Sequence, residues 1–261
     1  MNRDPNQIKV TGAAFRLHRD YGISNPSDLC VQDIAMAEGL YVTVGKLSGA
    51  DGRLVRKKDR GVARISSSIT DPNRRRFTTA HEFGHWMLHR NDSQFFLCTE
   101  NDMYKDDYRS HPLETEANSF AAEFLMPKFW ITDSFLKLEP SIAKLQVMAD
   151  WFQVSLTAAA LRYVELSKQK CMIVFSDGKH VKWWRKNKSL PFWLTGNQEI
   201  NILSHASECY QKGHICDGMD TVDPDGWFYH CDRQISELLE DSIYLPGSGI
   251  LVSLLWFPGW G

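Results

Sequence analysis

The chain lacks any run of about 20 uninterrupted apolar residues, the length that a membrane-spanning helix needs. Its most apolar window, residues 249–256, stops at Pro258. It also lacks a polybasic arm and an acidic tail: 30 basic residues face 32 acidic ones, for a formal net charge of -2, so a charge-driven partner must be recognised locally. The N-terminal stretch MNRDPNQIKV has no apolar secretory core. No repeat of useful period and no low-complexity segment is present. These absences lead to the expectation of a soluble, cytoplasmic protein with no membrane partner.

What is there is a length of 261 residues, 43% of them hydrophobic, enough for one large domain or two modest ones at roughly 150 residues each. Six cysteines in such a chain read as mostly reduced core residues, not as a disulfide scaffold. Apolar spacing predicts helices over 7–21 and 28–37, a strand over 40–44, and an alternating, half-exposed strand over 61–69. The charged, turn-rich stretch SGADGRLVRKKDRG between the strands reads as a solvated hairpin or loop. Residues 76–89 and 113–126 read as helices, with a loop from 91 to 112. A helix pair follows at 141–152 and 156–166, joined by QVS and of helix-turn-helix size. From Lys168 the texture changes to short β-type runs at 171–175, 180–184, 227–231 and 249–257. The fold class expected is α+β, with a boundary near residue 169.

Nine histidines are the informative count, because His81, His85, His89 and His111 fall close together. HEFGH at 81–85 is an HExxH pattern inside a predicted helix. Imidazoles at i and i+4 share a helical face, so His81 and His85 can aim two nitrogens at one Zn2+. Glu82 is placed to take a proton from a water at such an ion and pass it to a leaving amine. Gly84 costs a helix interior about 1 kcal/mol against Ala, which points to another backbone packed closely there. A third ligand is needed, and Glu114, 29 residues after His85, is the first candidate. Glu116 is its rival, about 200° further around the same helix, so only one of the two can face the metal. Asn118 shares the face of Glu114 and is placed to hydrogen-bond a ligating imidazole.

His89 continues the i+4 series, but about 6 Å further along the axis, and reads as a supporting residue beside the site. Tyr104, Tyr108, Arg109 and His111, in the loop bordering the cleft, are the candidates for stabilising the oxyanion of peptide hydrolysis. The strand 61–69 reads either as an exposed edge for substrate or as an internal strand.

RRRFTTAHEFGHWMLH followed by ETEANSFAAEFLMP resembles the ImmA/IrrE family of zinc metallopeptidases, in which HExxH is paired with a later ExxA[ND]xFA segment. The resemblance covers about residues 20–168. It implies His81, His85 and Glu114 as ligands of Zn2+ and Glu82 as catalytic base. It also implies a zincin-like core over 1–138, a helix-turn-helix-like extension over 139–168, and a C-terminal mixed α/β or mainly β domain over 169–261 with a sensory or regulatory role. The implied activity is a gluzincin-like metalloendopeptidase that cleaves or inactivates a helix-turn-helix repressor in a stress or mobile-element response.

A reading from another class is a non-catalytic, zinc-stabilised protein that sequesters a transcription regulator. Direct nucleic-acid binding is disfavoured: the second helix of the pair carries few cations, and KHVKWWRKNK at 179–188 reads as a basic hairpin whose Trp183 and Trp184 fill a small core. The C-terminal set His205, Cys209, His214, Cys216, His230 and Cys231 lacks the paired CxxC of a zinc knuckle.

Overall fold

The computed structural model describes residues 5–89, 95–98, 112–131, 133–136, 139–212, 218–228, 235–246 and 248–259. It is a mixture of helices and two β-sheets, divided into two compact units, Met1–Trp130 with Trp151–Ser155 and Ile131–Asp150 with Leu156–Gly261. Among the described residues no helix is long and apolar enough to cross a membrane.

In the first unit, α1 (Pro5–Asp20) and α2 (Val31–Ala37) precede strands β1 (Leu40–Gly45), β2 (Gly52–Lys57) and β3 (Arg60–Ser66). The sheet order is β1-β3-β2-β4, with β1 parallel to β3 and the other pairs antiparallel; β4 is Phe95–Cys98. The stretch read as a solvated hairpin or loop forms the hairpin of β2 and β3, but β2 is an internal strand whose Leu54 is fully buried. Of the two readings of the strand after it, the internal one holds: β3 is flanked by β1 and β2 and offers no free edge for a substrate. β4 also falls in a segment expected to be loop.

Helix α3 (Pro72–Leu88) begins where Asp71 caps it, accepting from Asn73 N at 2.9 Å, with Pro72 in the first turn where its missing N–H costs nothing. Its inner face packs on the sheet. Gly61 leaves no room for a side chain beside the Trp86 ring, and Trp86 Nε1 donates to Glu38 O at 2.9 Å. The Arg56 guanidinium lies 4.0 Å from the Trp86 ring centroid and donates to Trp86 O at 2.8 Å. α4 (Pro112–Leu125) crosses α3 at Gly84, where an added Cβ would meet Ala117 Cα at 3.1 Å. Phe83, Phe120 and Phe124, all fully buried, lock the crossing with ring centroids 5.5–5.7 Å apart. The close approach expected from Gly84 is therefore that of α4.

The chain continues through the helix pair α5 (Ile142–Phe152) and α6 (Leu156–Leu166). The second unit's sheet is fully antiparallel, order β6-β5-β9-β8-β7, from β5 (Cys171–Ser176), β6 (Val181–Lys186), β7 (Asp220–Thr221), β8 (Leu239–Leu245) and β9 (Ile250–Trp256). Every residue of β5 is buried. Two acidic neighbours on β8 each cap a helix. Glu240 accepts from the backbone N–H of His205 and Ala206, at the start of α7 (His205–Lys212), and Asp241 accepts from Ile142 N at 2.7 Å. Of the run expected as a strand at 227–231, Trp227 and Phe228 instead leave a 3-10 turn and enter the core, and 229–231 lie outside the described residues. Cys30 and Cys171 are free, the first exposed and the second buried in β5, and Cys209 is disulfide-bonded.

Candidate metal centre

The i, i+4 spacing on α3 puts His81 and His85 side by side, both fully buried, with their Nε2 atoms 3.1 Å apart. Glu114, in the first turn of α4, completes a triangle. Its Oε2 lies 3.2 Å from His81 Nε2 and its Oε1 3.4 Å from His85 Nε2. A four-coordinate ion with bonds of about 2.0–2.1 Å sets its ligands about 3.3–3.4 Å apart, close to the three edges observed. The donor set therefore fits a metal ion, and three protein donors leave a fourth position of a tetrahedron open.

The electrostatics fit as well. Burial pushes His85 down to about 4, which keeps its ring neutral near pH 7. For Glu114, burial works against the charge, but hydrogen bonds to His81 and His85 prevail and hold the carboxyl well below its usual range. For His81, burial again opposes the charge, yet Glu114 and the field of Glu82 hold it above 6.5. Two carboxylates thus impose on the imidazoles a negative field of the kind that attracts a cation.

The expected residues fall as follows. Glu82 is fully buried, and its carboxylate fills the space next to Gly52, where a Cβ would come within 2.8 Å of Glu82 Cδ. Asn118 Oδ1 lies 2.8 Å from His81 Nδ1. Of the two rival carboxylates, the structure brings Glu114 to the histidine pair. Glu116 points to His89 instead, with Oε2 3.1 Å from His89 Nε2, and His89 Nδ1 lies 3.0 Å from His85 Nδ1. Tyr104, Tyr108, Arg109 and His111 lie outside the described residues, as do His214, Cys216, His230 and Cys231. In the basic stretch, the Trp183 ring stacks on Phe175 at 3.7 Å and Trp184 Nε1 donates to Leu194 O at 3.0 Å, so packing engages both indoles.

Sequence reasoning missed Gly52 and Lys9. Lys9 Nζ donates to Leu88 O at 3.0 Å and lies 3.7 Å from Glu116 Oε2. Neither carries a local signal, because each meets the site only through the fold.

The model of the IrrE N-terminal-like domain matches residues 35–163. Over 162 residues the chain is 31% identical to the radiation response metalloprotease IrrE of Deinococcus deserti, a match covering 62% of this chain and 56% of that protein. It is 27% identical over 147 residues to the uncharacterized immunity region protein 2 of Bacillus phage phi105, covering 56% of this chain and 85% of the phage protein. Among solved structures, a Mycobacterium tuberculosis transcriptional regulator shares the fold, with a TM-score of 0.62 at 14% identity over 95% of this chain and 76% of that one. The chain thus spans little more than half the length of the Deinococcus relative.

Proposed function

Through residues 35–163 the chain belongs to the ImmA/IrrE family, and from that premise we propose that it is a zinc-dependent endopeptidase acting on one specific protein, a helix-turn-helix transcriptional repressor, in a stress or mobile-element response. The observation that carries this reading is the triangle of His81 Nε2, His85 Nε2 and the Glu114 carboxylate, with edges of 3.1–3.4 Å and Glu82 buried beside it. The names of the Deinococcus and phage relatives, a radiation response metalloprotease and an immunity region protein, support the context.

His81, His85 and Glu114 would hold the ion. Bound there, Zn2+ supplies Lewis acidity, bringing the pKa of a water near 7 and polarising a peptide carbonyl. Glu82 accepts a proton from the attacking water at a carboxylate oxygen and delivers it to the amine nitrogen of the breaking bond. Asn118 accepts from His81 Nδ1–H, which leaves Nε2 its lone pair for the metal. The zincin-like core is assigned to 1–138, the helical extension to 139–168 and a regulatory domain to 169–261.

The test is zinc stoichiometry, together with cleavage of a repressor encoded beside this chain, for the unmodified protein and Glu82→Gln. The expected result is one zinc in both and cleavage in the first only. Full function in Glu82→Gln with zinc still bound would favour the sequestering protein instead.

A further inference from the structure

The imidazole His85 does not end at the metal site. Its Nδ1 faces His89 Nδ1 at 3.0 Å, His89 Nε2 faces Glu116 Oε2 at 3.1 Å, and Lys9 Nζ stands 3.7 Å behind the same oxygen. His85 and His89 are 0% and 1% exposed, and Glu116 only 8%, so water does not compete for the two contacts that join them. Two nitrogens of the same kind face each other in the first contact, and only one of them can carry the proton. The direction of that bond is open until something further along the row sets it.

We propose that Glu116 sets it: Glu116 is a positioning residue that, through His89, fixes the tautomer of His85 in which Nε2 is free to bind metal. This rests on the zinc site proposed above. The Glu116 oxygen 3.1 Å from His89 Nε2 is placed as the acceptor at this end of the row, so His89 presents Nε2–H to it. Its Nδ1 is then a lone pair, which obliges His85 to donate from its own Nδ1. Only then is His85 Nε2 bare, as metal ligation requires. Lys9 Nζ, 3.7 Å from the same Glu116 oxygen, sets an opposite charge at the end of the row. The two ligating imidazoles are thus oriented by different devices, His81 by the amide oxygen of Asn118 and His85 by a relay one residue longer.

A plain buried ion pair joining α3 to α4 would look the same in outline but behave differently. The relay needs an acceptor at position 116, whereas the ion pair needs a charge. Glu116→Gln keeps an oxygen that can accept and loses the charge; Glu116→Ala loses both.

The experiment is zinc affinity by competition with a chromophoric chelator on the full chain, with long-range 1H–15N spectra of the zinc-loaded protein labelled at histidine. Expected are His85 protonated at Nδ1 and His89 at Nε2. Glu116→Ala should lose about 10–100-fold in affinity, as removal of such outer partners does, and show His89 in both tautomers. Glu116→Gln should recover most of the affinity with the original tautomers. His89 found with its proton on Nδ1 in the unmodified protein, or Glu116→Gln as weak as Glu116→Ala, would overturn the proposal. Unfolding melts of the metal-free variants separate lost folding from lost affinity. Failure to bind zinc at all would overturn this reading and the proposed function together; stated tautomers without peptide cleavage would overturn the latter alone.

Discussion

Gly52, the first residue of β2, lies directly against the Glu82 carboxylate: a Cβ on it would come within 2.8 Å of Glu82 Cδ and 3.0 Å of Glu82 Cγ. The absence of a side chain at one position is what holds the proposed base at another. Gly52→Ala should therefore move Glu82 and leave the three metal donors in place. The expected outcome is unchanged zinc stoichiometry with cleavage reduced about 10²–10⁴-fold, the usual worth of a positioned acid–base group. Metal analysis and single-turnover cleavage, run side by side, check it.

Gly84→Ala probes the crossing of α3 and α4. Alanine gains about 1 kcal/mol in helix propensity, but its Cβ would stand 3.1 Å from Ala117 Cα, Ala117 O and Phe120 Cδ1. These are mainly backbone atoms on the helix that carries Glu114, and they yield poorly. A net destabilisation of about 1–3 kcal/mol is expected, with weaker zinc binding as Glu114 is pushed away. Urea unfolding of the metal-free protein measures the first, chelator competition the second.

Acid sensitivity should come in part from His18. Its ring is buried among Phe124, Phe129 and Trp130, and Nε2 donates to Phe124 O at 2.8 Å. Burial lowers its pKa, only partly offset by Phe124 O and Glu123. Below 6.5 the unfolded chain takes up this proton before the folded one does, so stability present above 6.5 is lost as the pH falls through and below that value. His18→Gln removes the titration. The difference in unfolding free energy between the unmodified protein and His18→Gln should shrink from pH 7.5 to pH 5.5; a constant difference would rule the effect out.

Glu240 gathers four donors: the N–H groups of His205 and Ala206, Trp227 Nε1 and Ser242 Oγ, at 2.6–3.0 Å. Whichever way its amide is turned, Gln at this position sets an NH2 against at least one backbone N–H, which can only donate. Glu240→Gln should destabilise the second unit by about 1–3 kcal/mol, read as a lower urea midpoint by Trp227 fluorescence. The metal centre should keep its affinity.

How much of this was legible in the sequence depended on where the deciding contacts lie. His81, Glu82 and His85 are fixed by the pitch of one helix, and the choice between Glu114 and Glu116 was narrowed by the same pitch on the next. Gly84 was readable because a glycine inside a helix needs a reason. β2 was not, because RLVRK carries three cations around Leu54, and its place inside the sheet is set by β3 and β4. β8 was missed for a related reason: Glu240 and Asp241 look like loop residues until the helix N-termini that they cap are in view. Lys9 and Glu116 are 107 positions apart and meet only in the folded chain.

The metal donors are split between two helices, two on α3 and one at the head of α4. An unfolded chain cannot present them together, so any ion bound there adds directly to the stability of the fold, about 2.7 kcal/mol when its free concentration is 100 times its Kd. A copy that has lost its ion opens more often, and opening is what housekeeping proteases detect. Metal supply then governs how long each molecule survives as well as what it can do, so a shortage would lower the amount of the protein without any change in its synthesis.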